Sequence, residues 1–193
     1  MTVTDAAGPQ LGIRMLRRWP TAFGLVFGAS LVVAYWFGFA DTERMSQVLI
    51  AAGLVYLGSA ALRLRTAAWP VFAATVVLIT TGFLVPSFDP FWWMLGIAGL
   101  LVVVGLVRGA LRPPWGMPLA FGAMALIVVV ALAASRLDGP WAALLVAGGL
   151  LAHAVWDVVH HRTGRVVVRS MAEFCAVLDT LLAFGIVAVT FLG

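Results

Sequence analysis

Read for its alternation of apolar and polar positions, the chain divides into seven apolar runs separated by short polar breaks. Each run is long enough, or nearly so, for the roughly 17–25 residues that an α-helix needs to cross about 30 Å of hydrocarbon. The pattern predicts spans over Thr21–Phe39, Val48–Leu62, Pro70–Val85, Phe91–Val107, Pro118–Ala134, Trp141–Val159 and Ala172–Leu192. The breaks are 41–47, 63–69, 86–90, 108–117, 135–140 and 160–171. Pro20, Pro70, Pro90, Pro118 and Pro140 stand near predicted helix starts, where the missing N–H of proline leaves no hydrogen bond unmade.

Residues 1–13 are polar and contain Gly and Pro, and are expected to form a disordered tail. Residues 14–193 are expected to form one seven-helix transmembrane domain. The first apolar run exceeds the roughly 7–15 residues of a signal-peptide core and further spans follow it, so it reads as an uncleaved anchor. The fold class expected is all-α, an integral membrane bundle.

Composition sharpens this picture. The chain is 63% hydrophobic and only 10% charged, far outside the range of soluble domains, with a mean hydropathy of +1.08. The formal net charge of +4 points to no nucleic-acid partner, because every basic residue is an arginine placed between apolar runs. The expected partner is the lipid bilayer.

Charge placement predicts the orientation. With the N-terminus in the cytoplasm, the inner side receives Arg14, Arg17, Arg18, Arg63, Arg65, Arg108, Arg112, Arg162, Arg165 and Arg169. The outer side receives only Arg44 and Arg136, beside Asp41, Glu43, Asp89 and Asp138. This positive-inside bias predicts a cytoplasmic N-terminus and an external C-terminus in the cell membrane, and an even number of spans would break it. Most tryptophans, among them Trp19, Trp36, Trp92 and Trp141, fall near span ends, as in an interfacial belt. Gly24 with Gly28 and Gly105 with Gly109 give two GxxxG patterns that permit close helix packing and carry no implication of dimerisation.

Chemistry is concentrated in 153–179, which holds all three histidines, the single cysteine and two carboxylates well inside apolar runs. At about 100° per residue, with His153 at zero, Asp157 falls near +40°, His160 near −20°, His161 near +80° and Trp156 near −60°. The histidines and Asp157 thus share one side of the sixth helix, as metal ligands or a proton path require. The seventh span starts at the same surface, so equal distances from the connection pair His153 with Asp179, Asp157 with Cys175, and the two later histidines with Glu173.

Simpler readings exist for most of these residues. Ser170 and Glu173 match a capping box at a helix start. His160, His161 and Arg162 lie at the interface, where polar side chains are ordinary. Cys175 reads as a small buried apolar residue. For His153, Asp157 and Asp179 the simple reading is a pair that fixes helix packing. Against it, an ionised Asp at depth costs about 2.5–3.5 kcal/mol, and intramembrane carboxylates commonly mark functional sites.

The inventory excludes several sharper assignments. Three histidines on one helix cannot build the di-iron site of membrane desaturases, nor supply a haem with opposed axial ligands. His153 to Asp157 matches the HxxxD of lipid-phosphate phosphatases, but the companion elements are missing. No Walker-type loop or GxSxG elbow occurs. The segment His153-Ala-Val-Trp-Asp157-Val-Val-His160-His161, followed by Arg169 to Asp179, resembles that of small uncharacterised bacterial polytopic membrane proteins. The resemblance implies membrane location and supplies no activity.

The leading expectation is a small membrane enzyme with its site at the cytoplasmic end of the sixth and seventh helices, acting on a lipid or isoprenoid-type substrate. His153, Asp157 and Asp179 are the candidate catalytic residues. One divalent ion of the Zn, Mn or Fe class is expected on His153, Asp157 and His160 or His161. Arg162, Arg165 and Arg169 are the candidate binding residues for an anionic amphipathic substrate. A proton-linked carrier and a structural accessory subunit are the alternatives.

Overall fold

A computed structural model of the protein describes residues 18–192; the terminal tail, Arg14 and Arg17 lie outside them. Among the described residues there are seven α-helices and no strand: α1 (Trp19–Trp36), α2 (Thr42–Leu62), α3 (Ala68–Leu84), α4 (Pro90–Val107), α5 (Met117–Ala134), α6 (Pro140–Thr163) and α7 (Arg169–Leu192). One 3-10 turn, Arg65–Ala67, leads into α3. All seven are long and apolar enough to cross a membrane.

The predicted spans match these helices, and the differences have local causes. Helix α2 starts six residues early because Asp41 caps it: its side chain accepts from the Arg44 N–H at 2.8 Å, so the polar stretch before Val48 is already helical. Helix α6 runs on through the histidines to Thr163, where Gly164 adopts the left-handed conformation (φ 61°) that ends a helix at little cost for glycine. Helix α7 begins at Arg169, so only residues 164–168 join the two.

The capping box expected at Ser170 does not form. With the helix already under way at Arg169, both side chains turn to distant partners. The Trp69 indole N–H donates to Ser170 Oγ at 3.2 Å, and the Thr21 hydroxyl donates to Glu173. These contacts tie α3 and α1 to the start of α7.

Helix α2 is the hub. Sixteen of its 21 residues are buried, and it packs against α3, α4, α5 and α6. Its second half carries Ala51, Ala52, Gly53, Gly58, Ser59, Ala60 and Ala61, small residues that let neighbours approach closely. Helices α6 and α7 form an antiparallel hairpin, and α1 packs on the outside of α7. There Gly24 faces the Phe174 carbonyl and Val177, where any side chain would collide, so the first GxxxG serves contact within the chain. In the second, Gly105 meets Met117 and Gly109 lies beyond the end of α4. An aromatic cluster of Phe23, Trp69, Phe72 and Phe174 staples α1, α3 and α7 at this end.

The two ends of the bundle differ. One gathers Arg18, Arg63, Arg65, Arg108, Arg112, Arg162, Arg165 and Arg169, and is cross-tied by Arg65 Nη1 donating to the Gly164 carbonyl (2.8 Å). The other carries Arg44 and Arg136 with Asp41, Glu43, Asp89 and Asp138. Between them the outer surface is apolar, with Val26, Val103, Leu126 and Val155 all exposed, as suits contact with hydrocarbon.

Candidate functional site

Three helices bring four polar side chains together in the interior. Helix α6 supplies His153 and Asp157, one turn apart on its inward side; α7 supplies Asp179; α2 supplies Tyr56. Asp157 and Asp179 are fully buried, Tyr56 is nearly so, and His153 is 6% exposed. His153 Nδ1 lies 2.9 Å from Asp179 Oδ2 and 3.3 Å from Asp157 Oδ2. The Tyr56 hydroxyl donates to Asp157 Oδ1 at 2.6 Å.

The depth match between His153 and Asp179 places them as the sequence predicts. His153 lies ten residues before the end of α6, and Asp179 ten after the start of α7, about 15 Å along helices rising about 1.5 Å per residue. Asp157 and Tyr56 each stand six residues, about 9 Å, from the same end of their helices. The site is therefore set inside the arginine-rich half of the bundle rather than at its rim.

His160 and His161 do not join it. His160 shares the direction of His153 around α6 but is two turns away along it, about 10.5 Å. Its Nδ1–H donates to the Trp156 carbonyl at 2.9 Å, and its ring packs against Tyr56 and Trp156 (centroids 4.9 and 4.6 Å). His161 lies at the rim, with Nδ1 3.2 Å from the Arg169 carbonyl. Facing direction alone made these two look like ligands; depth separates them, and Asp179 takes the place assigned to them. Glu173 faces Thr21 on α1. Cys175 is buried, with its Sγ 3.5 Å from Met171 Sδ.

Tyr56 and the whole contribution of α2 are what sequence reasoning missed. The signal was present: Tyr56 is one of two tyrosines in the chain and stands mid-span, where its hydroxyl needs a buried acceptor.

The group is short of hydrogen bonds. Asp157 Oδ2 and Asp179 Oδ1 are buried without a hydrogen-bond partner. Two buried carboxylates beside one imidazole would be stabilised by additional positive charge. The donors fit a cation: one imidazole nitrogen and two carboxylate oxygens suit a divalent ion of the Zn, Mn or Fe class. Their ligand atoms lie within 4.8 Å of one another, so a small inward shift of the side chains would bring them to the bond lengths of about 2.0–2.2 Å around one ion. Tyr56 then holds Asp157 in place from behind.

His153 and Trp156 also form part of the wall of an apolar cavity of about 420 Å³ between α5 and α6, closed below by Leu49 of α2. Of the three arginines expected to bind an anion, Arg165 lines a cavity at the arginine-rich end, where it lies with its guanidinium 4.8 Å over the Trp115 ring, and the other two are absent from that wall. Arg162 points outward and Arg169 stands beside Gly164.

Compared with protein-family models, with curated proteins and with solved structures, the chain matches none.

Proposed function

We propose that this chain is a multi-pass protein of the cell membrane, with its N-terminus in the cytoplasm and its C-terminus outside, that works as a small membrane enzyme on a lipid or isoprenoid-type substrate in the inner leaflet. The orientation rests on the arginine bias between the two ends. The observation that carries the enzymatic reading is a single residue: His153 belongs both to a buried, under-bonded His/Asp/Asp group and to the wall of an apolar cavity large enough for part of a lipid chain.

In this reading His153, Asp157 and Asp179 hold one divalent cation, which supplies Lewis acidity when bound. Asp157 is oriented by Tyr56. Asp179 fixes the His153 ring, and Trp156 and Leu49 keep the reacting end of the substrate out of bulk water.

Two features weigh against the alternatives. A pair that only fixed packing would use all its oxygens, whereas Asp179 Oδ1 meets no protein donor. A proton path must continue toward the opposite face, but beyond His153 that half of the core is filled by Leu49, Val146, Leu150, Leu182 and Ile186, all fully buried.

Metal analysis of the purified full-length protein tests the proposal. About one divalent ion per chain is expected, lost in folded Asp157→Asn and Asp179→Asn variants. A wild-type protein with no stoichiometric ion, and whose thermal stability is indifferent to a chelator, would sink the metal site.

A further inference from the structure

At the arginine-rich end a second cavity, also about 420 Å³, opens between the end of α2, the start of α5 and the 164–168 turn. Four arginines line it: Arg63, Arg65, Arg112 and Arg165. Among the described residues no Asp or Glu forms an ion pair with any of them, and no carboxylate lies in the wall. Ser59 forms part of the wall; it is 1% exposed and its hydroxyl has no hydrogen-bond partner. Gly116 and Met117 bring the start of the 18-residue α5 to the cavity, and no side chain caps it. The uncapped start offers the Met117 N–H and a partial positive charge, while Pro118 has no N–H and that of Gly116 is bonded to the Pro113 carbonyl.

A further property separates this cavity from a merely basic rim. Arg63 (φ 54°) and Val166 (φ 60°), the non-glycine residues with positive φ among those described, both stand in its wall. A β-branched residue there is a true outlier, and such strain persists only where the surroundings hold it.

We propose that this cavity is a binding site for a phosphate-type anion, and that it takes the headgroup of a phosphorylated amphipath whose chain lies in the apolar cavity beside His153. Guanidinium forks match phosphate oxygens with paired hydrogen bonds, and the Ser59 hydroxyl adds a further donor. The two cavities follow each other along the same pair of helices. Helix α5 lines the apolar one from Pro118 to Val130, about 18 Å, and its first residue Met117, with Trp115 and Gly116 just before it, lines the arginine one. Helix α6 does the same in reverse, with His153 and Trp156 in the first and Thr163 in the second. Ser59 is one turn along α2 from Tyr56, so the anion site adjoins the His/Asp/Asp group. This deepens the function proposed above by naming its substrate class; it rests on that reading for the fate of the ligand and not for its binding.

Binding of labelled hexadecyl phosphate to the full-length protein in phosphatidylcholine nanodiscs, with a chelator present, tests it. Saturable binding is expected. The double variant Arg112→Gln/Arg165→Gln, both exposed side chains, should weaken it about tenfold or more, and Ser59→Ala several-fold. Arg136→Gln at the other end should leave it unchanged, and Arg112→Lys, which keeps the charge and loses the fork, should weaken it less than Arg112→Gln does. Competition by inorganic phosphate would identify a site that also takes the free anion; competition by added phosphatidylglycerol but not by phosphate would identify a lipid headgroup site. Either result supports an anion site. Equal binding of uncharged hexadecanol, or wild-type binding by the folded double variant, would overturn it. With the chelator present and no turnover measured, loss of the metal reading leaves these outcomes unchanged.

Discussion

The Tyr56 hydroxyl donates to Asp157 Oδ1 at 2.6 Å, across 101 residues of sequence and between the central helix and the α6–α7 hairpin. Asp157 Oδ2 is meanwhile held near His153 Nδ1. The carboxylate is thus fixed from two sides, one oxygen toward α2 and the other toward the histidine that connects to Asp179.

Replacing Tyr56 by Phe removes only the hydroxyl and leaves Asp157 Oδ1 buried without a donor. The expected cost is about 1–3 kcal/mol, the penalty of an unsatisfied buried polar group. It is read as a lower unfolding temperature in detergent with the helical content unchanged. A variant as stable as the wild type would mean the bond contributes nothing net.

At Asp179, charge and shape separate. Asp179→Asn keeps the size and one hydrogen bond to His153 but loses the negative charge, so the protein should fold and not hold the ion proposed for this site. Asp179→Leu removes the partner altogether. It should destabilise by several kcal/mol, as breaking a buried pair does. Full metal occupancy in the Asn variant would reduce Asp179 to a packing residue.

Gly24→Val tests the seam between α1 and α7. A side chain at this position meets the Phe174 carbonyl, a backbone atom that cannot swing aside. Overpacking of about 1–3 kcal/mol is expected. Since α1 contacts the bundle mainly through α7, protease sensitivity should rise first near α1, with the His153 group intact.

Orientation is open to direct labelling, because the single native cysteine is buried. In a Cys175→Ala background, a cysteine at Asp138 should react with an impermeant maleimide in intact cells. A cysteine at Thr163 should react only after the cells are opened. The reverse pattern would invert the proposed topology.

The helices were legible in the sequence because crossing hydrocarbon imposes length and composition on each separately. The His153–Asp179 contact was legible too, since a short connection between antiparallel helices fixes relative depth. What could not be read was neighbourhood. Apolar runs say which residues avoid water but not which of the seven occupies the middle, so the span over Val48–Leu62 is legible while its central place and the role of Tyr56 are not. Around a single helix, direction without depth misassigned His160 and His161. The arginines illustrate the same limit: their placement between apolar runs predicts which end they occupy, whereas the cavity at that end draws Arg63, Arg65 and Arg112 from other connections and, of Arg162, Arg165 and Arg169, takes Arg165 alone.

The five-residue turn between α6 and α7 bears on how the protein is made. On a lone α6, His153 and Asp157 would have only each other, and on a lone α7 Asp179 would enter lipid with no partner, at about 2.5–3.5 kcal/mol for a charged Asp on the insertion scale. With residues 164–168 as the only separation, the second helix emerges from the ribosome directly behind the first, and Asp179 arrives opposite His153. A connection this short allows the two to enter the bilayer as a hairpin paired across its middle. A long flexible insertion at Gly164 would separate these arrivals in time, and its expected signature is a nascent chain whose sixth helix stalls outside the membrane until the seventh has been synthesised.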